Sequence, residues 1–410
     1  MPKAIQYTKG SIIYFDGDMD DRVFIMQKGA VLLTSADIET GAPVSEQVRS
    51  GEFFGVKSAL GHFAREETAT ALVTTVAVAL TVQEFEVLFS NNKSLIMKML
   101  RVFSNQLRQI HRKTESILKS RIIDQQSGML TVAKSFYDDE QFRSACDVYL
   151  KFMRRFPDSA HIDAVKKWYN AAKLRADRLA TMNRGPLENP EDFSSSLKIF
   201  DLPAFSRFAK DYEPGEVIIS EFEPGDSFYF IQKGNVQLVK CVNGTKKNLD
   251  ILRPGEFFGE MAILDNSPRS ATCVASGAVR CLEFNKENFA LLITGNPQMA
   301  LLLLKLFCKR IYDQKRRLKI LVIKDLQAKI AGVFLLLDEM NPPDNPSDKQ
   351  RTFNVTVSDI AHWAGLSYDV TKEEITYFVE RQRIKVLGNS IVVSNINDIQ
   401  RIYETRCDIR

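Results

Sequence analysis

Residues 255–275 read GEFFGEMAILDNSPRSATCVA, and residues 51–71 read GEFFGVKSALGHFAREETATA. The two stretches align without a gap. Each has Gly-Glu-Phe-Phe-Gly, a short apolar segment, and an arginine nine positions after the residue that follows the second glycine. Two differences stand out: Glu260 is matched by Val56, and Ser270 by Glu66.

The pair is the centre of a longer repeat, and self-similarity at a fixed spacing governs how a chain is divided. The segment from Tyr7 lies on the segment from Tyr212, an offset of 205 residues. After a one-residue difference in the hairpin near Asp37–Val48 the offset is 204, and it holds through Phe85/Phe289 and Phe103/Phe307. Both copies are short β-branched and aromatic runs broken by Gly, Asp and Pro. That is the pattern of antiparallel strands joined by tight turns in a small barrel or sandwich. A long helical pattern follows each copy, over Lys93–Lys119 and Pro297–Lys324.

A chain of 410 residues is too long for one core. The repeat and its surroundings divide it into a first barrel with its helix (1–120), a helical spacer (121–182), a linker (183–205), a second barrel with its helix (206–325) and a tail (326–410). The expected class is α+β: two jelly-roll-type barrels, the spacer, and a small helical domain with a hairpin. In the spacer, Ala133, Phe136, Ala145, Tyr149, Phe152 and Pro157 fall where a tetratricopeptide unit places them. Only one and a half such hairpins fit, fewer than a solenoid needs to stand alone, so a rigid spacer is expected, with a groove for a protein partner as the other use.

Composition is that of an ordinary globular chain, 45% hydrophobic and 26% charged, and a net charge of +4 does not by itself argue for nucleic acid. The six cysteines have no C-x-x-C spacing and read as reduced, scattered thiols. The N-terminus lacks a signal pattern and the most apolar stretches are too short to span a bilayer, so a cytoplasmic protein without a membrane partner is expected.

The chemistry lies in the quoted cassette. Gly259 permits a tight turn. Glu260-Met261-Ala262-Ile263-Leu264 can form a short helix whose first N–H groups favour an anion. Arg269 can return a guanidinium suited to two phosphate oxygens, and Ser270 adds a hydroxyl. A bare anion would be repelled by Glu260, whereas a phosphate carried on a ribose offers that carboxylate a hydroxyl. No general base, metal cluster or nucleophile–histidine pair accompanies the group. It is built to bind, and an enzyme is not expected.

With these residues in place, 206–325 resembles a cyclic nucleotide-binding domain, and 206–410 resembles the Crp/Fnr regulators. The phosphate cassette F-G-E-x-A-x-x-x-x-x-P-R-x-A-T is matched by Phe258, Gly259, Glu260, Ala262, Pro268, Arg269, Ala271 and Thr272. The resemblance implies that Glu260 binds the ribose 2′-hydroxyl and that Arg269 and Ser270 bind the cyclic phosphate, with Phe258, Gly259, Met261 and Ala262 around them. It implies no cofactor, only a regulatory cyclic nucleotide. The base-reading position falls on Gln314 and Lys315. Gln314 can donate and accept, so it could read adenine or guanine. cAMP is placed first, and cGMP and a cyclic dinucleotide stay open. In the first copy Val56 cannot accept from a ribose and Glu66 and Glu67 flank Arg65, so the site reads as lapsed, with a changed ligand as the other reading.

The long helix after the second copy has apolar residues at Leu301, Leu304, Cys308, Ile311, Leu318 and Val322, with Lys305, Lys309, Arg310, Arg316 and Arg317 assigned to the opposite face. The resemblance makes this helix both a cap and a dimer seam. The first copy's helix, with Met99, Val102, Leu107, Ile110 and Ile117, offers an internal partner, so a homodimer and an intrachain pseudo-dimer are both open.

Residues 354–393 carry a capping box at Thr356/Asp359, a turn at Gly365, a second cap at Ser367 and a hairpin at Gly388-Asn389, resembling the winged helix-turn-helix of the same regulators. Tyr368, Asp369, Lys372, Glu373 and Thr376 are the expected DNA-facing residues. Val370, Ile375, Phe378 and Val379 are expected to be buried on Ile360 and Trp363. From Ile330 to Arg410 there are nine Lys/Arg against twelve Asp/Glu, a net charge of −3, which weakens any contact with phosphates. A transcription regulator sensing a cyclic nucleotide is the reading adopted; a nucleotide-gated protein scaffold is the alternative.

Overall fold

A computed structural model describes residues 2–118, 124–182, 203–242, 244–340, 342–343, 345, 347–388 and 390–407. It comprises two compact units, Met1–Ile117 with Thr294–Arg410, and Leu118–Ile293. Most of the expected linker, residues 183–202, lies outside the described residues, as do parts of the 341–350 loop and Asn389.

The first copy of the repeat forms β1 (Lys3–Tyr7), β2 (Ile12–Tyr14), β3 (Val23–Lys28), β4 (Val31–Ala36), β5 (Pro43–Val48), β6 (Phe53–Phe54), α1 (Val56–Gly61), β7 (Thr68–Ala71) and β8 (Thr75–Leu80). Two four-stranded antiparallel sheets result, ordered β1-β8-β3-β6 and β2-β7-β4-β5. Strand alternation sends Phe24, Met26, Val31, Ala69 and Ala77 inward onto Tyr14, Val48 and Phe54. Two helices follow, α2 (Val82–Ser90) and α3 (Lys93–Ile117). A reciprocal Thr81/Glu84 capping box starts α2.

The other unit opens with α4 (Gln125–Asp138), α5 (Phe142–Arg155) and α6 (Ile162–Met182). The second copy follows as β9 (Ala209–Tyr212), β10 (Val217–Ile219), β11 (Ser227–Val242), β12 (Thr245–Leu252), β13 (Phe257–Phe258), α7 (Glu260–Asp265), β14 (Thr272–Asn285) and α8 (Lys286–Gly295). Here β11 and β14 run continuously where the first copy divides into β3/β4 and β7/β8, so the strands join one six-stranded sheet. The register of β11 on β14 shifts between Ile231 and Lys233 and again between Lys233 and Asn235.

The three helices do not stand free. Met129, Val132, Ala133, Ala145 and Tyr149 share one core with Val217, Val239 and Val274 of the barrel. Ser144 Oγ donates to the Gly215 carbonyl at 2.6 Å, Lys151 Nζ to the Ile218 carbonyl at 2.7 Å, and Val217 N–H to Asp147 Oδ2 at 2.9 Å. A hairpin and a half has an apolar face it cannot cover itself, and the barrel covers it.

The chain then continues in the first unit with α9 (Pro297–Val322), α10 (Leu326–Met340), β15 (Arg351–Phe353), α11 (Val357–Ala364), α12 (Tyr368–Glu380), β16 (Ile384–Leu387), β17 (Ser390–Val393) and α13 (Ile396–Arg406). Sequence order groups α9 with the second barrel, but α9 packs on α1, α2 and α3 of the first and continues onto α10 and α11. Leu303, Leu304, Phe307, Cys308 and Ile311 are buried in this packing. Tyr312 stacks on Phe63 at 4.0 Å between centroids, and Lys305 pairs with Glu86 at 2.6 Å. The α3–α9 pair is thus made within one chain, although Val102, assigned to its seam, is 43% exposed.

Arg317 departs from the sequence reading, which assigns it to the exposed basic face. It is buried, its Nη2 2.9 Å from His362 Nε2 and its guanidinium 5.1 Å from the Trp363 ring. Position 317 begins the face of α9 that meets α11, so the guanidinium enters the C-terminal core. Burial lowers its pKa to about 10.

Candidate functional site

In both copies the same backbone device holds the cassette. Gly259, with φ 82°, caps α7, and Gly55, with φ 71°, caps α1. A side chain would be strained at either position, and a Cβ would lie 2.7 Å from Arg269 Nη1 or 2.5 Å from Arg65 Nη1. Each arginine donates from Nη1 to the carbonyl of its own glycine at 2.6 Å.

Around Arg269 the second copy keeps polar groups. Nη2 donates to Ser227 Oγ at 3.2 Å, while Nε is buried without a hydrogen-bond partner. Glu260 is 1% exposed at the start of α7. The 220–226 loop supports the arginine: Arg269 N–H donates to the Glu223 carbonyl at 2.9 Å, and Phe222 N–H to the Arg269 carbonyl at 3.0 Å. Lys240 Nζ bonds the Ser270 carbonyl at 2.7 Å and Glu221 Oε1 at 2.9 Å. A buried donor with an open edge, a carboxylate at the start of the short helix and a serine beside the arginine form a polar cradle that suits an anion carried on a sugar.

The cyclic nucleotide-binding domain model matches residues 4–92 and 209–296. The chain carries two cyclic nucleotide-binding domains. Among known proteins, it is 25% identical over 192 residues to a CRP-like cAMP-activated global transcriptional regulator of Mycobacterium tuberculosis, spanning 47% of this chain and 86% of that protein. It is 31% identical over 149 residues to the cyclic AMP receptor protein of Thermus thermophilus, spanning 36% of this chain and 66% of that one. A solved transcriptional regulator of the CRP/FNR family, also from Thermus thermophilus, matches 48% of this chain and 99% of its own at 21% identity, with a TM-score of 0.37.

In the second cyclic nucleotide-binding domain the structure brings together Phe258, Gly259, Glu260, Met261, Ala262, Arg269 and Ser270 on β13, α7 and the turn into β14. Gln314 falls in the other unit, on α9. Its neighbour Lys315 lines a cavity of the first domain and pairs with Glu66 at 2.8 Å. The first domain's cassette is furnished differently. Arg65 adds bonds to Ser58 Oγ at 2.7 Å and the Arg22 carbonyl at 2.6 Å, an ion pair with Asp20 at 3.6 Å, and the face of Tyr14 at 4.4 Å.

In the tail, α11 and α12 are joined through Gly365 and followed by the β16–β17 hairpin, with strand order β15-β17-β16. Tyr368, Asp369, Lys372, Glu373 and Thr376 all lie on the exposed face of α12. Its buried stripe is Thr371, Ile375 and Phe378. Val379, expected inside, is 39% exposed. Thr371 takes the inner place because it continues the four-then-three spacing, and its hydroxyl is satisfied by the Ser367 carbonyl at 2.9 Å.

Sequence reasoning missed the Glu221–Lys240 pair that holds the Ser270 carbonyl. Neither residue is near the cassette in sequence; a glutamate in the 220–226 loop and a lysine within the apolar run of β11 were the available signal.

Proposed function

We propose that this protein is a cyclic nucleotide-responsive transcription regulator of the Crp/Fnr type. The ligand binds the second domain: Arg269 and Ser270 take the cyclic phosphate and Glu260 the ribose 2′-hydroxyl. The tail is a winged helix-turn-helix whose α12 meets DNA through Tyr368, Asp369, Lys372, Glu373 and Thr376. The observation that carries the reading is the buried guanidinium of Arg269, held on Gly259 and Ser227 in a cassette that also buries Glu260, where the first domain has Val56. The relatives are named for cAMP, which makes cAMP the ligand to test first.

The α3–α9 pairing within one chain supports the intrachain pseudo-dimer over the homodimer, and the buried Arg317–His362 contact ties α9 to α11, giving helix movement a route into the tail. Ligand shifts this equilibrium only to the extent that it binds one arrangement more tightly. A regulator of this kind works in the cytoplasm. The docking of α4 and α5 on the second barrel favours a brace over a partner-binding groove for the spacer.

Titration calorimetry of the full chain with cAMP and cGMP, followed by selection from genomic DNA with and without the bound nucleotide, tests the reading. Saturable binding and ligand-dependent enrichment of discrete sites support it. Absence of nucleotide binding overturns the site; an empty selection with nucleotide bound overturns the DNA role and leaves the scaffold.

A further inference from the structure

The first domain contains a cavity of about 410 Å³, within the range of small-molecule sites. Leu33, Val48 and Phe54 of the barrel and Met99 and Phe103 of α3 form apolar walls. The floor belongs to the cassette, where Val56 and Lys57 replace the Glu260 and Met261 of the second domain. Lys315 of α9 closes one side.

Two polar groups of this lining have no protein partner. Gln106 Oε1 is buried without a hydrogen bond, and Lys57 makes no hydrogen bond or ion pair among the described residues. The other charged groups are occupied or open to water. Lys315 is held by Glu66 at 2.8 Å, Glu67 accepts from the Tyr14 hydroxyl at 3.3 Å, and Glu46, Glu52 and Lys98 are exposed. Burial disfavours charge on Lys57, but Glu67 and Glu66 outweigh it and raise its pKa, so the ammonium persists. A nucleotide does not suit this lining. Val56 accepts nothing from a ribose, and Arg65 is engaged on Ser58, Arg22 and Asp20.

We propose that the first domain binds a compact aromatic or apolar monoanion with one hydrogen-bond donor, the anion on Lys57, the donor on Gln106 Oε1, and the ring between Phe54, Val48 and Met99. This is a second effector site of different chemistry. It is independent of the nucleotide reading of the second domain. Because Lys315 lines it, occupancy is felt by α9, the helix that carries the tail.

The probe is 8-anilinonaphthalene-1-sulfonate, which has one sulfonate, one N–H donor and a fused aromatic body, used with the full chain and read by fluorescence. Saturable binding at one site is expected. It should weaken about tenfold in Lys57→Met, the loss of one charge-assisted hydrogen bond, and several-fold in Gln106→Leu. Indole-3-acetate, with a carboxylate and a ring N–H, should displace it. Gln106→Leu removes an unsatisfied acceptor from an apolar wall and should fold at least as well as the parent, so it decides the matter even where Lys57→Met unfolds. Absence of saturable binding overturns the proposal, as does binding unchanged in both variants. Displacement by cAMP in a chain carrying Arg269→Ala also overturns it, because the cavity would then be a nucleotide pocket. Nucleotide binding by the second domain is measured separately by calorimetry on the parent chain, so the two readings fail by different results.

Discussion

The two nucleotide-binding domains share a glycine, a short helix and an arginine bonded to the glycine carbonyl at 2.6 Å, yet the arginines are in different company. Arg65 is held from four sides: by Ser58, the Arg22 carbonyl, Asp20 and the Tyr14 ring. Arg269 keeps a bond to Ser227 and a buried Nε without a partner, in a cassette that also buries Glu260. Arg65 also has an unpartnered Nε, so the contrast rests on what surrounds the guanidinium and on Glu260 against Val56. The same residue at the same place serves as a structural brace in one copy and as a candidate clasp in the other. A repeated motif transmits a backbone arrangement more faithfully than a function.

The largest effect that tests this contrast is on stability. Arg65→Ala removes a buried guanidinium from Ser58 Oγ and from the Gly55 and Arg22 carbonyls and leaves a cavity beneath Tyr14, and should destabilise the first unit by about 3 kcal/mol or more. Thermal unfolding should show the loss while the affinity for cAMP stays at the parent value. A stable Arg65→Ala chain with weakened nucleotide binding would reverse the roles assigned to the two copies.

Next come the substitutions of the second copy. Arg269→Ala and Glu260→Ala should each cost about 1–3 kcal/mol of nucleotide binding, since each leaves a ligand charge or hydroxyl without its partner. Calorimetry against cAMP and cGMP reads both. Parent affinity in either variant would mean that the second cassette is as structural as the first.

The repeat frame, the strands and the cassette were legible in the sequence because local chemistry fixes them. A left-handed glycine, a two-residue aromatic strand and an arginine at a set spacing are properties of adjacent residues. In the tail the Thr356/Asp359 capping box and the five exposed positions of α12 were legible for the same reason, whereas Val379 was not. The grouping of α9 was not legible. Its apolar stripe states that it is covered, not by which barrel, and only the chain's path places Phe63 beneath Tyr312 and Glu66 beside Lys315. Arg317 was misplaced because an arginine on a basic helix reads as solvated until His362 and Trp363 are seen around it. The docking of α4 and α5 on the barrel was hidden likewise, because Val217, Val239 and Val274 read equally well as barrel core.

A smaller effect concerns the face of α12. If Asp369 accepts from a cytosine amino group, Asp369→Ala should relax preference at one base pair by about 1 kcal/mol, and binding should fall with salt in both chains alike. If Asp369 only repels phosphate, the variant should strengthen non-specific binding and leave any preference unchanged. Binding measured on a set of single-base operator variants separates the two results, and the second would remove base reading from this residue.

The smallest effect lies where the spacer meets the second barrel, an interface without counterpart in the first copy's sequence. Asp147 accepts from the Val217 N–H at 2.9 Å, and burial, reinforced by Glu216, raises its pKa from 3.8 to about 6 despite Arg143 and Lys151. For an acid with a raised folded pKa, the folded chain keeps a proton that the unfolded chain has released. The stability this supplies is complete below about pH 4 and is lost as pH rises through about 6. Asp147→Asn keeps a carbonyl oxygen for Val217 and never takes the buried charge. It should therefore stabilise the chain at about pH 8 by roughly 1 kcal/mol, after allowance for the water that reaches this half-buried group, and the gain should vanish by about pH 4. Unfolding curves of the two chains at both pH values test this. An equal difference at the two pH values, or a loss at the higher one, would show that Asp147 is held by its charge and that the barrel grips the spacer electrostatically rather than through the shared apolar core.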